Sequence, residues 1–110
     1  MQEVAKINVN NQGGYVFNYS VQWLDASTGE WHTSDWNSGN YSVGFSRETP
    51  ELGSIGVTED ALAVTVYGHA IAGTSGQGHG FVKYQPGSQN VATYDAKGTT
   101  YIGFDIELVG

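Results

Sequence analysis

The amino-acid sequence predicts an all-β protein, built as an antiparallel β-sandwich or jelly roll of about 7–9 strands. Apolar and polar residues alternate in short runs, turn-forming residues separate these runs, and no run has an apolar stripe of helical period. The length of 110 residues is ordinary for one domain, and no linker interrupts the pattern. We therefore expect a single domain over residues 1–110.

Two segments carry the strongest strand signals. In residues 15–23 every second side chain is large and apolar, and residues 99–109 alternate in the same way. Weaker signals predict strands at 6–9, 31–33, 41–46, 54–57, 62–67, 80–84 and 90–94. Glycine and asparagine between these segments favour the turns that a sandwich requires.

The charge balance excludes two classes of partner. The net charge is −7, and the four basic residues are scattered along the chain. Nucleic-acid binding needs clustered cations, and anionic lipid attracts basic segments, so neither partner is expected. Only 14% of the residues are charged, and the remaining polar residues are amides and hydroxyls that suit a neutral, hydroxyl-rich ligand.

The chain has no cysteine, so disulfides and thiolate metal sites are excluded. No basic segment followed by an apolar one precedes the first predicted strand, and no apolar run is long enough to span a membrane. We therefore expect a protein without a signal peptide or membrane span, either cytoplasmic or secreted without a leader.

The densest group of candidate binding residues lies in residues 31–41, which we expect to form a polar loop after a short strand. A sugar site needs a flat apolar ring and fixed polar partners for the hydroxyl groups. The candidates for these roles are Trp31, His32, Asp35, Trp36, Asn37, Asn40 and Tyr41. The alternative is that both tryptophans pack in the core and the Asn and Gly residues only turn the chain.

The same segment offers hard oxygen ligands for a cation. Asp35, Asn37 and Asn40 could contribute to a calcium site, because calcium binds six to eight oxygens. The full acidic calcium loop is absent, so solvated polar residues are the alternative explanation.

Catalysis is not expected. The sequence has no G-x-S-x-G motif and no cysteine nucleophile. Asp105 and Glu107 share one face of a predicted strand at about 7 Å. A chain of this length has little wall for the cleft of a glycosidase, and two solvated acids are the ordinary explanation.

In overall style the chain resembles the small cysteine-free agglutinins of slime moulds and fungi. Asp35, Trp36, Asn37 and Asn40 are residue types that such lectins use in their sites. The resemblance implies a compact β-sandwich that acts as a lectin or hemagglutinin on glycans. It also implies a homo-oligomer, because linked weak sites gain avidity.

Two other functions stay open. A small membrane-active, cytolytic β-sandwich toxin would need an exposed apolar patch, which residues 15–23 and 101–104 could supply if they are not core. A structural subunit of a fibre or coat would assemble without any sugar.

Overall fold

The computed structural model describes residues 1–110, and it confirms the all-β prediction. Ten strands and one short 3-10 helix make up the regular structure. In chain order the strands are β1 (Glu3–Val4), β2 (Lys6–Asn11), β3 (Phe17–Leu24), β4 (Trp31–Asn37), β5 (Ser46–Glu48), β6 (Ala63–Ala70), β7 (Ser75–Gln77), β8 (Lys83–Tyr84), β9 (Val91–Lys97) and β10 (Asp105–Leu108).

Two four-stranded sheets form the sandwich. Sheet I has the strand order β10-β9-β2-β5, and sheet II has the order β4-β3-β6-β7. Sheet II is antiparallel throughout, whereas β2 and β9 of sheet I pair in parallel. A separate parallel pair joins β1 to β8. The sandwich is therefore mixed rather than purely antiparallel.

One hydrophobic cluster of 21 buried residues fills the space between the sheets. Phe17, Tyr19 and Val21 supply the inner face of β3, as the alternation of residues 15–23 predicts. The Tyr19 hydroxyl donates to the Arg47 carbonyl oxygen at 2.7 Å, which links sheet II to sheet I. Burial raises the pKa of Tyr94 to about 12, and its hydroxyl donates to the Gly80 carbonyl oxygen. Buried aromatic rings thus keep their polar ends paired.

Several predicted boundaries were wrong. Residues 54–57 are not a strand, because a 3-10 helix covers Leu52–Ile55. The Glu51 side chain accepts from the Ser54 backbone N–H, and Gly56 ends the helix at a φ of 108°. Residues 98–104 form a loop before β10, and residues 41–45 form a bridge and a turn before β5. Conversely, β4 continues to Asn37, so most of the expected binding loop is strand.

The chain direction of the strands divides the connections between two ends of the sandwich. Residues 12–16, 38–45, 71–74 and 98–104 meet at one end, which we call the tip. Residues 25–30, 49–62 and 85–90 lie at the other end, which we call the base. The two ends differ in charge and in exposed apolar side chains, and the tip is the candidate site.

Candidate functional site

The tip carries no charge and exposes large apolar side chains. Its four connections contain no Asp, Glu, Lys, Arg or His, although the chain has 15 Asp, Glu, Lys and Arg residues elsewhere. Half of the exposed large apolar side chains of the protein lie in these connections: Val16, Val43, Phe45, Ile71, Tyr101 and Ile102. Tyr101 and Ile102 are 81% and 77% exposed. Apolar side chains grouped at one end of a soluble fold mark an interaction surface.

Asn11, at the end of β2, holds two of these connections in place. Its side-chain amide donates to the Tyr15 carbonyl oxygen at 2.8 Å and to the Tyr41 carbonyl oxygen at 3.2 Å. Its Oδ1 atom accepts from the Gly13 backbone N–H at 3.0 Å. Asn11 is only 1% exposed, so these bonds are shielded from water and keep the tip backbone satisfied without a charged group.

Backbone and hydroxyl groups tie the other connections together. The Ile71 N–H donates to the Val16 carbonyl oxygen at 2.9 Å. The Thr74 hydroxyl donates to the Thr100 carbonyl oxygen at 2.8 Å, and the Tyr101 hydroxyl donates to the Ala72 carbonyl oxygen at 3.3 Å. The exposed rings and branched chains of three connections therefore sit on one linked framework.

Glycine makes the 98–104 loop tight. Gly98 has a φ of +88°, and a Cβ atom there would lie 2.1 Å from the Gly103 carbonyl oxygen. The close approach turns the chain so that Tyr101 and Ile102 face solvent. An amino acid with a side chain would clash with the backbone at this position.

Tyr15 and Phe104 form the apolar floor below the tip. Their ring centroids are 5.5 Å apart, and the Tyr15 hydroxyl donates to the Lys97 carbonyl oxygen at 2.7 Å. Burial, together with the negative charge of Asp105, raises the pKa of Tyr15 to about 12. The tip thus rests on packed side chains that belong to the core.

The residues that the sequence predicts for a sugar site separate into two groups and a single residue, His32. Trp36 packs edge-on against Tyr19 at 5.5 Å, and Tyr41 is buried with its hydroxyl donating to the Val9 carbonyl oxygen at 2.9 Å. These two side chains support the core. The more accessible group consists of Trp31, Asp35, Asn37 and Asn40, on or next to β4.

His32 lies at the base and pairs with Asp25, with 2.9 Å between Nε2 and Oδ2. Hydrogen bonds from the Ser27 hydroxyl and backbone N–H, assisted by His32, lower the pKa of Asp25 to about 2. The pair closes the turn between β3 and β4. It is remote from Asn40, which lies in the tip connection that follows β4.

The side-chain oxygens of the two asparagines proposed for calcium already accept hydrogen bonds. Asn37 Oδ1 accepts from the Gly39 N–H at 2.8 Å, and Asn40 Oδ1 accepts from Asn18 Nδ2 at 3.1 Å. No group of three His, Cys, Asp or Glu side chains is arranged to hold a metal ion. The calcium site at Asp35, Asn37 and Asn40 stays a prediction.

Comparison with solved structures identifies proteins with a similar fold. The chain is 15% identical to pneumolysin over 96% of its own length and 23% of that chain, with a TM-score of 0.52. For listeriolysin O the identity is 16% over 96% of this chain and 22% of that one, with a TM-score of 0.50. The isolated membrane-binding domain of pneumolysin is covered to 96%, as is this chain, at 15% identity and a TM-score of 0.50.

The shared feature is a β-sandwich fold, and the chain spans less than a quarter of full-length pneumolysin and listeriolysin O. No family model matches the sequence, and no curated protein matches it. The structure contains no helix with the length and hydropathy of a membrane span.

Inspection of the sequence missed most of the tip. It gave Ile71 no role. It named residues 15–23 and 101–104, which include Val16, Tyr101 and Ile102, only as an alternative membrane-facing patch. The signal that was available is the absence of charge from several glycine-bearing connections, but only the topology shows that these connections meet.

Proposed function

We propose that this protein is a membrane-binding module that places the apolar side chains of its tip in the interface of a neutral lipid bilayer. The uncharged, apolar tip carries this proposal. The shared fold with a domain named for membrane binding supports it. Of the functions considered from sequence, the membrane-active one fits the structure better than the lectin function does.

The energetics favour shallow insertion. Full burial of one large apolar side chain is worth about 1.5–3 kcal/mol, so Tyr101, Ile102 and Ile71 together can supply about 4.5–9 kcal/mol, which corresponds to a roughly millimolar to micromolar association. Irregular backbone with unpaired polar groups does not enter the hydrocarbon region, and the tip connections are not regular structure. The side chains therefore reach the interface while the sandwich stays outside.

The net charge of the protein indicates which lipid headgroups the tip can approach. At −7 the protein is repelled by anionic surfaces, and the tip offers no cation to offset the repulsion. We therefore expect zwitterionic or uncharged lipids as partners. For this chain we propose binding and not lysis, because its fold corresponds to one part of pneumolysin only.

The experiment is flotation with phosphatidylcholine vesicles, with and without cholesterol, which keeps the surface neutral. Wild type should float with the vesicles, and Ile102→Asp should bind about 100-fold more weakly, because it loses apolar burial and adds a charge. The matched control is Leu62→Asp, at a half-exposed position of the base, which should bind like wild type.

Binding that requires phosphatidylserine, or that falls equally in both variants, would contradict the proposal. Release of an encapsulated dye by bound wild type would show that the module is also lytic, and this result would support the cytolytic-toxin hypothesis instead.

A further inference from the structure

The outer face of sheet II carries no Asp, Glu, Lys or Arg on its central strands. Side chains of three β3 residues alternate outward between the buried ones, and cross-strand pairing places them beside Tyr67 on β6 and Gln77 on β7. The residues that matter are Asn18, Gln22, Thr33, Asn37, Tyr67 and Gln77. Asp35 lies at the margin, within a bulge of the edge strand β4.

Hydrogen bonds fix the amide groups of this face in defined orientations. Gln77 Nε2 donates to Gln22 Oε1 at 2.9 Å, and Gln22 Nε2 donates to Thr33 Oγ1 at 3.0 Å. Asn37 Nδ2 donates to Asn18 Oδ1 at 3.1 Å. Each amide keeps a further N–H or lone pair free, so the face offers both donors and acceptors. Such a pattern fits hydroxyl groups, which both donate and accept.

Aromatic rings complete the surface. Tyr67 is 39% exposed in the middle of the sheet, beside Ser20 and Gln77. Trp31 lies on the same face toward the base, and its ring packs 5.4 Å from that of Phe81. Four residues of β3 separate the two levels, which is about 13 Å along the strand. No pocket is found in the structure, and the proposed ligand therefore lies across the open face.

We propose that the outer face of sheet II binds a neutral oligosaccharide, with Tyr67 and Trp31 stacking on sugar rings and the fixed amides bonding the hydroxyls. The occupant follows from the chemistry of the face, since its central strands carry no Asp, Glu, Lys or Arg that could pair with an ionic partner. His69 on this face is hydrogen-bonded to Ser75, and Asp35 lies only at the margin. The site shares only Asn40 with the tip. It keeps Trp31, Asn37 and Asn40 of the sequence hypothesis, and Asn40 acts by accepting from Asn18.

The test is an array of neutral oligosaccharides probed with multivalently displayed full chain. Wild type should bind a subset of the glycans, and free oligosaccharide should compete. Tyr67→Thr keeps a β-branched residue in the strand but removes the ring, and it should weaken binding at least about tenfold. Tyr101→Thr makes the same chemical change at the tip, so it should retain glycan binding while losing vesicle binding.

Gln77→Ala is the second variant, and it replaces Tyr67→Thr in the test if circular dichroism shows that Tyr67→Thr does not fold. Gln77→Ala should also weaken glycan binding. A blank array from folded wild type would overturn the proposal, as would glycan binding that neither sheet variant changes. If wild type binds no glycan but sediments as a homodimer, and Tyr67→Thr sediments as a monomer, the face would bind a second copy of this chain instead. Vesicle flotation is measured separately, so a negative glycan result does not affect the test of the membrane proposal.

Discussion

The tip and the base of the sandwich satisfy their turns with different chemistry. At the base, residues 25–30 and 49–62 contain five carboxylates. Asp25 accepts from Ser27 and pairs with His32, and Glu51 caps the 3-10 helix and accepts from the Tyr84 hydroxyl. At the tip the corresponding work is done by a buried amide, by threonine hydroxyls and by backbone groups.

This difference shows how one end of a fold can be kept free of charge. A turn needs partners for its polar backbone groups, and carboxylates are effective partners that also attract water. Replacing them by Asn11, Thr74 and close backbone contacts leaves the tip structured and neutral. The tip can then expose apolar side chains to a bilayer without having to desolvate an ion.

Asn11→Ala should have the largest effect on stability, because the neutral tip depends on this one side chain. The substitution leaves the Tyr15 carbonyl oxygen and the Gly13 N–H without their partner, at about 1–3 kcal/mol each, while the Tyr41 carbonyl oxygen keeps its bond from the Phe17 N–H. We expect a loss of about 4 kcal/mol in the free energy of unfolding, measured by urea denaturation.

The matched control is Asn10→Ala, one residue earlier on β2. Asn10 is only partly buried and donates to Asp95 at 3.0 Å, so its loss should cost less than about 1 kcal/mol. Equal effects in the two variants would show that the tip does not depend on the Asn11 amide.

Gly98→Ala should have the next largest effect. The new Cβ atom would meet the Gly103 backbone while the residue keeps a left-handed φ, which together should cost about 3 kcal/mol. Gly29 in the base turn also has a positive φ, but nothing lies within 4 Å of its Cβ position. Gly29→Ala should therefore cost about 1 kcal/mol, and thermal unfolding of both variants provides the measurement.

The sequence was sufficient to predict the β-sandwich and its core face, because the alternation in β3 is periodic and local. Phe17, Tyr19 and Val21 are buried as that alternation requires. The same rule failed for residues 99–104, where Tyr101 and Ile102 alternate in size but lie in a loop. A backbone reversal set by the contact between Gly98 and Gly103 overrides the pattern, and that contact is not visible in local sequence.

The candidate sites were harder to predict for the same reason. The tip unites four connections that are far apart in sequence, and the face of sheet II unites Asn18, Thr33, Tyr67 and Gln77 through strand pairing. The sequence hypothesis used neighbours within residues 31–41. It therefore combined accessible side chains with Trp36 and Tyr41, which pack against the core.

Acid should loosen the base before the tip, and this is the smallest effect we expect. The pKa of Asp25 is lowered from 3.8 to about 2, so the folded state prefers the carboxylate. Its stabilising contribution is complete above about pH 4 and is lost as the pH falls through 2. Hydrogen exchange should show reduced protection of residues 25–32 between these pH values, while residues 98–104, which contain no acidic group, change less. Asp25→Asn should lower protection of the base turn at neutral pH and flatten this acid dependence. An unchanged profile in that variant would mean that the charge of Asp25 does not stabilise the base turn. The chemical difference between tip and base would then have no effect on their local stability.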